Sequence, residues 1–304
     1  MRLYVIGTEG QVARALREAA IDYPDVVFGC SGRSEVDILD PKVVEKALSA
    51  FSPDLVINPA AYTAVDRAES ESDLAFAINR DGAGNVAAAA ARLGIPIVHL
   101  STDYVFDGNK SGRYVETDAV GPTGVYGRSK LAGEHAVAAA NDRHLILRTS
   151  WVYAPFGSNF VRTMLRLSAD RDRLTVVDDQ VGCPTYAPDI AAAVMMISRQ
   201  IEGSNWQERF GGVTHLAGPD EVTWYDFARR IIRLAETKRA RSVTVDAIST
   251  ADYPTAAHRP VNSRLCCDRL ASVFQIRLPG LESSLENCLE RLLGTSPLNT
   301  GAKH

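Results

Sequence analysis

Tyr126 and Lys130 stand four positions apart in VYGRSK (125–130), at the head of the helix-forming run LAGEHAVAAA. Four residues is slightly more than one helical turn, so a phenol and an ammonium project from one face and reach a common point. A phenol can deliver a proton, and a neighbouring cation makes that proton easier to release. The same spacing occurs in ordinary amphipathic helices, so its meaning rests on its company. Upstream, HLSTDYVFDG places Ser101, Thr102 and Asp103 after an apolar run, where an α/β sheet presents its ligand groups. Such residues also form turns. Together with the Tyr–Lys pair they complete a chemical set: Thr102 to hydrogen-bond a carbonyl, Tyr126 to protonate it, Lys130 to make the proton available.

A second constellation opens the chain. GTEGQVARAL carries Gly7 and Gly10 in a G-x-x-G-x-x-A pattern after the first apolar run. Small residues there let backbone N–H groups approach a pyrophosphate at a helix N-terminus. A plain strand-to-helix turn also uses glycine, but the first βα junction of an alternating chain points to a dinucleotide. Glu9 lies inside this loop and would repel phosphate unless its side chain points to water. A carboxylate ending the second strand would hold a ribose 2′-hydroxyl, whereas arginine accommodates a 2′-phosphate. VVFGCSGR offers no carboxylate before Arg33, so NADPH is the expected cofactor, with NADH not excluded. Arg33 read as a solvated loop charge is the alternative. Asp37 in EVDILD either reaches the adenine end or caps the helix starting at PKVVEK.

These groups need a scaffold, and the pattern supplies one. LYVIG (3–7), VVFG (26–29), DLVIN (54–58), IPIVHLS (95–101) and LILRTSWVY (145–153) are short and nearly continuous in apolarity, as strands buried on both faces are. QVARALREAA, PKVVEKALSAF and LAFAINRDGAGNVAAAAARLG separate them with helical patterns. Strict alternation predicts an α/β fold, a Rossmann-type doubly wound parallel sheet with right-handed crossovers. Residues 1–150 read as the dinucleotide-binding domain, with later returns of the chain to the sheet at about 174–215. Residues 151–294 read as a smaller interleaved lobe, with strands near 174–179 and 213–218, helices near 188–200, 224–237 and 282–293, and 295–304 as a flexible tail.

Net charge is −4 with 46% hydrophobic residues, an ordinary globular composition with no electrostatic footprint for nucleic acid or an anionic membrane. MRLYVIGTEG is neither a signal peptide nor an anchor, which predicts a cytoplasmic protein. The five cysteines (Cys30, Cys183, Cys266, Cys267, Cys288) show no C-x-x-C spacing, so reduced structural thiols are expected.

The loop GTEGQVA with INPAAYTAVDRAES, STDYVFDG, VYGRSKLAGE, RTSWVY, NFVRTML, DDQVGCPTY and RPVNSRL resembles the dTDP-4-dehydrorhamnose reductase family of extended short-chain dehydrogenases/reductases, from residue 1 to about 290. The resemblance implies NADPH-dependent reduction of the C4 carbonyl of dTDP-4-dehydro-6-deoxy-L-mannose to dTDP-L-rhamnose, a step in carbohydrate and lipopolysaccharide biosynthesis. It implies cofactor contacts at Gly10, Gln11, Val12, Asp37, Ile38, Ala61, Tyr62 and Thr63, and sugar and carbonyl contacts at Thr102 and Asp103. It also implies proton transfer at Tyr126 and Lys130, with Lys130 holding the nicotinamide ribose, and a substrate contact at Trp151. Around a sugar nucleotide, the Arg259 fork suits a diphosphate, or else a loop salt bridge. Asn159 and Gln180 suit sugar hydroxyls or the base, or else loop backbone. Two departures stand out: Gly32 replaces the family's usual strand-end acid, and Ala15 and Pro188 stand where relatives with a magnesium-bridged dimer carry glutamates. No metal is therefore expected, and the chain is expected to be a monomer or a metal-independent homodimer. Another sugar-nucleotide epimerase, dehydratase or reductase on the same scaffold is one alternative. A non-catalytic NADP-binding subunit, similar to that of methionine adenosyltransferase, is the other.

Overall fold

The computed structural model describes residues 1–239 and 242–294; the tail expected at 295–304 lies outside the described residues. The first half runs β1 (Arg2–Ile6), α1 (Gln11–Ala19), β2 (Val27–Ser31), α2 (Pro41–Phe51) and β3 (Leu55–Asn58). Short helices α3 (Val65–Ala68) and α4 (Ser72–Phe76) then continue through a π-helical turn, Ala77–Gly82, into α5 (Ala83–Arg92). β4 (Ile97–Thr102), α6 (Val125–Ala140) and β5 (His144–Thr149) follow. Every residue of β3 and β4 is buried, as their continuous apolarity requires. Asp40, not Asp37, caps α2, accepting from the Lys42 and Val43 N–H groups ahead of a helix that begins with Pro41.

After β5 the chain leaves the sheet at Ser150. It makes β6 (Val152–Tyr153), α7 (Phe160–Asp170), β7 (Arg173–Val177), β8 (Val181–Gly182), β9 (Thr185–Tyr186) and α8 (Ala187–Ser204), then rejoins the sheet as β10 (Gly212–His215). β11 (Val222–Thr223), α9 (Trp224–Arg239), β12 (Thr244–Ile248), β13 (Asn262–Ser263), α10 (Asp268–Phe274) and α11 (Leu281–Leu293) complete the described chain. The main sheet has six strands in the order β10-β5-β4-β3-β1-β2, and every pairing in it is parallel. One expectation fails: LTVVDD does not return to this sheet. β7 alternates exposed and buried residues, so only one of its faces is covered, and it pairs with β12 in a separate two-stranded sheet.

Helices cover both faces of the main sheet. Leu16, Val194 and Phe274 pack on one side with Val5, Leu100 and Leu147. Val44, Leu48, Val86 and Val137 pack on the other with Val56 and Ile97. A further core joins Val161, Leu165, Phe227, Ile231 and Leu285 of α7, α9 and α11.

α6 lies unusually near its neighbours. A β-carbon at Gly133 would fall 2.0 Å from the Asn79 carbonyl oxygen, and one at Gly127 would fall 2.2 Å from the Tyr104 carbonyl oxygen. Alanine normally favours a helix over glycine by about 1 kcal/mol. Here the obstacles are main-chain atoms, so overpacking of about 1–3 kcal/mol outweighs that gain. Gly133→Ala should therefore lower the urea midpoint; an unchanged or higher midpoint would show that α6 has room to move.

Candidate active site

The carboxyl ends of β1 to β5 converge on one cleft of about 690 Å³, to which Ile6, Ser31, Pro59, Thr102 and Thr149 each contribute. β1 stands between β2 and β3, where the strand order reverses, and an open α/β sheet binds ligands at such a point. Gly7, at φ +113°, makes the turn out of β1 in a conformation side chains rarely adopt, and its N–H donates to the Ser31 carbonyl at 2.7 Å. Gly10 precedes α1 without a side-chain cap, and no acid occupies the first turn of that helix. Gly10, Gln11 and Val12 line the cleft, and a β-carbon at Gly10 would meet nothing within 4 Å. Free N–H groups, an open approach and a helix N-terminus suit a pyrophosphate. Glu9 is exposed, which lets its carboxylate turn to water.

Farther along the same wall, Arg33 is exposed and lines the cleft with Asp37, Ile38, Ala61 and Thr63. A β-carbon at Gly32 would stand 2.8 Å from Thr8 Oγ1, so an acidic side chain there would crowd the phosphate loop. The nearby Glu35 carboxylate accepts from the Gly32 N–H at 3.1 Å. Asp37 accepts from the Leu39 N–H at 3.0 Å, a local turn that leaves its other oxygen available. Tyr62 does not line the cleft: its hydroxyl donates to Glu71 at 2.6 Å.

At the end of β4, the Thr102 hydroxyl lies 3.0 Å from Asp103 Oδ1 and also reaches the Tyr126 phenol. Burial raises that phenol above its ordinary value, with the Asp103 charge adding to the rise. Lys130 is 2% exposed; burial brings it down to about 8, against the pull of Glu134 toward the charged form. Its ammonium donates to the Leu100 carbonyl at 2.7 Å. In the free protein burial is the dominant influence on the phenol, and its easier release is left to Lys130 together with the charge of a bound nicotinamide. Asp103 is also buried, and its carboxyl is pushed up to about 6 by that burial, with Ser263 and Thr102 pulling the other way. Asp103 Oδ2 and Thr149 Oγ1 both belong to cleft residues and have no hydrogen-bond partner among the described residues. Buried polar atoms without a partner, in residues that line a cleft, are groups a polar ligand would satisfy.

Behind this row, Arg148 grips Glu134 through two hydrogen bonds of 2.9 and 2.6 Å, and Ser101 donates to the same carboxylate at 2.5 Å. The far wall belongs to Trp151, which takes φ +47° and stacks on Trp224 with centroids 3.4 Å apart and planes 7° from parallel. Glycine at 182 permits this, since a β-carbon would fall 2.3 Å from the Trp151 ring. Besides Tyr62, three anticipated side chains stand outside the lining. Asn159 caps α7 and donates to Gln11 Oε1 at 2.9 Å. Gln180 donates to Thr250 at 2.9 Å. Arg259 pairs with Asp66 at 2.8 Å. Lining residues that the sequence did not single out include Tyr104, Thr149, Ser150 and Ser158. Tyr104 sat inside STDYVF and Thr149 and Ser150 inside RTSWVY, though none was singled out there; Ser158 carried no signal beyond adjacency to a glycine.

Among the described residues no group of three or more His, Cys, Asp or Glu is placed to hold a metal ion, and no helix is long and apolar enough to cross a membrane. Ala15 is buried in the core and Pro188 sits in the first turn of α8, so neither position offers a carboxylate.

A parallel doubly wound sheet with a glycine cradle, and a Thr/Tyr/Lys set across the same cleft, defines a dinucleotide-dependent fold of the short-chain dehydrogenase/reductase type. The family described as RmlD substrate binding domain matches residues 1–293, and the chain belongs to it. A dTDP-4-dehydrorhamnose reductase of Sinorhizobium fredii is 50% identical over 293 residues, covering 96% of this chain and 98% of that protein. The crystal structure of a dTDP-4-dehydrorhamnose reductase from Clostridium acetobutylicum is 36% identical with a TM-score of 0.87, covering 96% of this chain and 99% of that one. A Bacillus anthracis dTDP-4-dehydrorhamnose reductase in complex with NADP is 34% identical with a TM-score of 0.86, covering 95% and 98%.

The Trp151–Trp224 stack supports the far wall. Trp224→Ala should abolish the exciton couplet of paired indoles in the far-ultraviolet circular dichroism and lower stability by about 2 kcal/mol. If the signal persists unchanged, Trp224 is not what holds Trp151.

Proposed function

We propose that the chain is a dTDP-4-dehydrorhamnose reductase, reducing the C4 carbonyl of dTDP-4-dehydro-6-deoxy-L-mannose with NADPH. The observation that carries this reading is the shared cleft, with Thr102, Tyr126 and Lys130 on one side and the Gly7–Val12 cradle on the other. Residues 1–150 hold the cofactor, together with the β10 return, and residues 151–294 mainly hold the sugar nucleotide. The enzyme works in the cytoplasm, as a monomer or a dimer that needs no metal.

When bound, the nicotinamide supplies the hydride. Gly10, Gln11 and Val12 present N–H groups to its pyrophosphate, and Asp37, Ile38, Ala61 and Thr63 border the adenosine side. Lys130 holds the ribose and brings positive charge to the phenol. Thr102 aims its hydroxyl at the carbonyl oxygen and stabilises charge that develops there. Tyr126 donates its proton to that oxygen. Asp103, with one oxygen free, holds a sugar hydroxyl, and Trp151 covers the sugar from the far wall. Arg259 must exchange Asp66 for the diphosphate if it takes part.

Tyr126→Phe keeps the ring and removes the acid, so kcat should fall roughly 10²–10⁴-fold while NADPH still binds. Lys130→Met should weaken cofactor binding and turnover together. Oxidation of NADPH followed with the 4-keto sugar nucleotide reads both. Near-normal turnover in Tyr126→Phe would dismiss the phenol as acid, and a wild type that binds NADPH yet reduces no 4-keto sugar would favour the non-catalytic reading.

Arg33 is the proposed reader of the 2′-phosphate. Arg33→Ala should shift preference from NADPH toward NADH by about tenfold, the scale of one exposed charge-assisted contact. An unchanged ratio of the two dissociation constants would assign the selection elsewhere.

A further inference from the structure

Asn58 at the end of β3, His99 in β4 and Lys130 in α6 form a buried row that runs back from the cleft wall at Lys130, exposed by 0%, 0% and 2%. Strand register sets Asn58 opposite His99. The amide is oriented by its other partner: Asn58 Oδ1 accepts the Ala60 N–H at 3.2 Å, so the NH₂ end meets His99 Nδ1 at 3.3 Å. An amide NH₂ only donates, so with this partner Nδ1 carries the lone pair and the ring proton sits on Nε2, against the pull of the Asn58 main-chain carbonyl toward a charged ring. That N–H faces Lys130 Nζ at 3.5 Å. A neutral amine accepts it and still donates to the Leu100 carbonyl; an ammonium has no lone pair and meets a donor head-on.

We propose that the Asn58–His99 pair is a positioning element for Lys130, holding its Nζ on the Leu100 carbonyl and making the ammonium less favourable in the free protein. The role rests on the reductase reading: an amine that exchanges its proton near neutrality can restore the Tyr126 proton after each turnover, which an ordinary lysine does poorly.

The surroundings agree in sign. Glu134 draws Lys130 toward the ammonium, but Arg148 and Ser101 occupy that carboxylate. Asp103 acts on Tyr126, whose own proton is held by burial. His99 is held well below its ordinary value, first by burial and then by the Lys130 charge, which together outweigh the Asn58 main-chain carbonyl.

The chain has six lysines, few enough to follow individually by ¹³C NMR of the labelled side chains, with Lys130→Met assigning the signal. In the free wild type Lys130 should titrate near 8. His99→Gln can turn an oxygen toward the ammonium. Asn58→Ala frees Nδ1 to carry the ring proton, so that Nε2 accepts. Each should move the midpoint up by about one unit, a tenfold gain in proton affinity. The alkaline limb of kcat/KM for NADPH should move with it.

A packing role alone would lower thermal stability without moving the titration. An unchanged or lowered midpoint in the variants overturns the proposal. One substitution changes the end of the row and the other its middle, so one folded variant suffices. Because the titration is read on the free protein, it stands even if no 4-keto sugar is reduced, and that second result would fall on the reductase reading alone.

Discussion

The ion pair between Glu134 of α6 and Arg148 of β5 lies almost entirely out of water, and the site is built on it. Ser101 of β4 donates to the same carboxylate, so one side chain ties α6 to the adjacent strands β4 and β5. Such a pair need not add net stability, since desolvating two charges offsets much of their attraction. Its consequence is geometric. Removing either partner leaves a buried charge unmatched, at about 3–5 kcal/mol, so α6 has one docked position rather than several. Gly127 and Gly133 sharpen that position, letting the helix rest against the carbonyls of Tyr104 and Asn79. Tyr126 and Lys130 inherit their placement from these contacts.

Electrostatically the free site is poised away from charge. The phenol holds its proton, Lys130 is lowered and Asp103 is raised, each chiefly through burial. Water-poor surroundings penalise every ionised group, and they also strengthen each dipole aimed at a developing oxyanion. The same burial that makes the phenol a poor acid at rest therefore makes any positive charge brought beside it more effective. Acidity at this phenol therefore depends on the charge brought beside it.

The sheet and the cradle were legible because their signals are local. Continuous apolarity in DLVIN and IPIVHLS reports strands buried on both faces, and a glycine pattern after the first strand reports a turn that only small residues make. Tyr126 and Lys130 share a face through spacing alone. The second half was less legible because its elements are defined by remote partners. β7 looks like a sheet strand until its alternation is weighed, and β12, its partner, lies about seventy residues on. Trp151 follows β5 directly, so LILRTSWVY reads as one strand. The left-handed turn at Trp151 is imposed by Gly182 and Trp224, and no local pattern announces either.

Asn159, Gln180 and Arg259 show that residue type alone does not decide which partner a polar group takes. Each has the chemistry for a sugar nucleotide, and each is already engaged by protein: Asn159 by Gln11 and α7, Gln180 by Thr250, Arg259 by Asp66. The Asn159–Gln11 contact joins the N-terminus of α1, where the cradle lies, to the N-terminus of α7 in the second half of the chain. Because a side-chain amide bond of this kind contributes only about 1 kcal/mol, it can orient Gln11 without locking it. A ligand whose phosphates settle on α1 would press on Gln11 first, and through it on Asn159 and the segment that carries Gly157 and Ser158 along the cleft wall. The two halves of the site are therefore in contact at Gln11, the first residue of α1, and the geometry on one side bears on the geometry on the other.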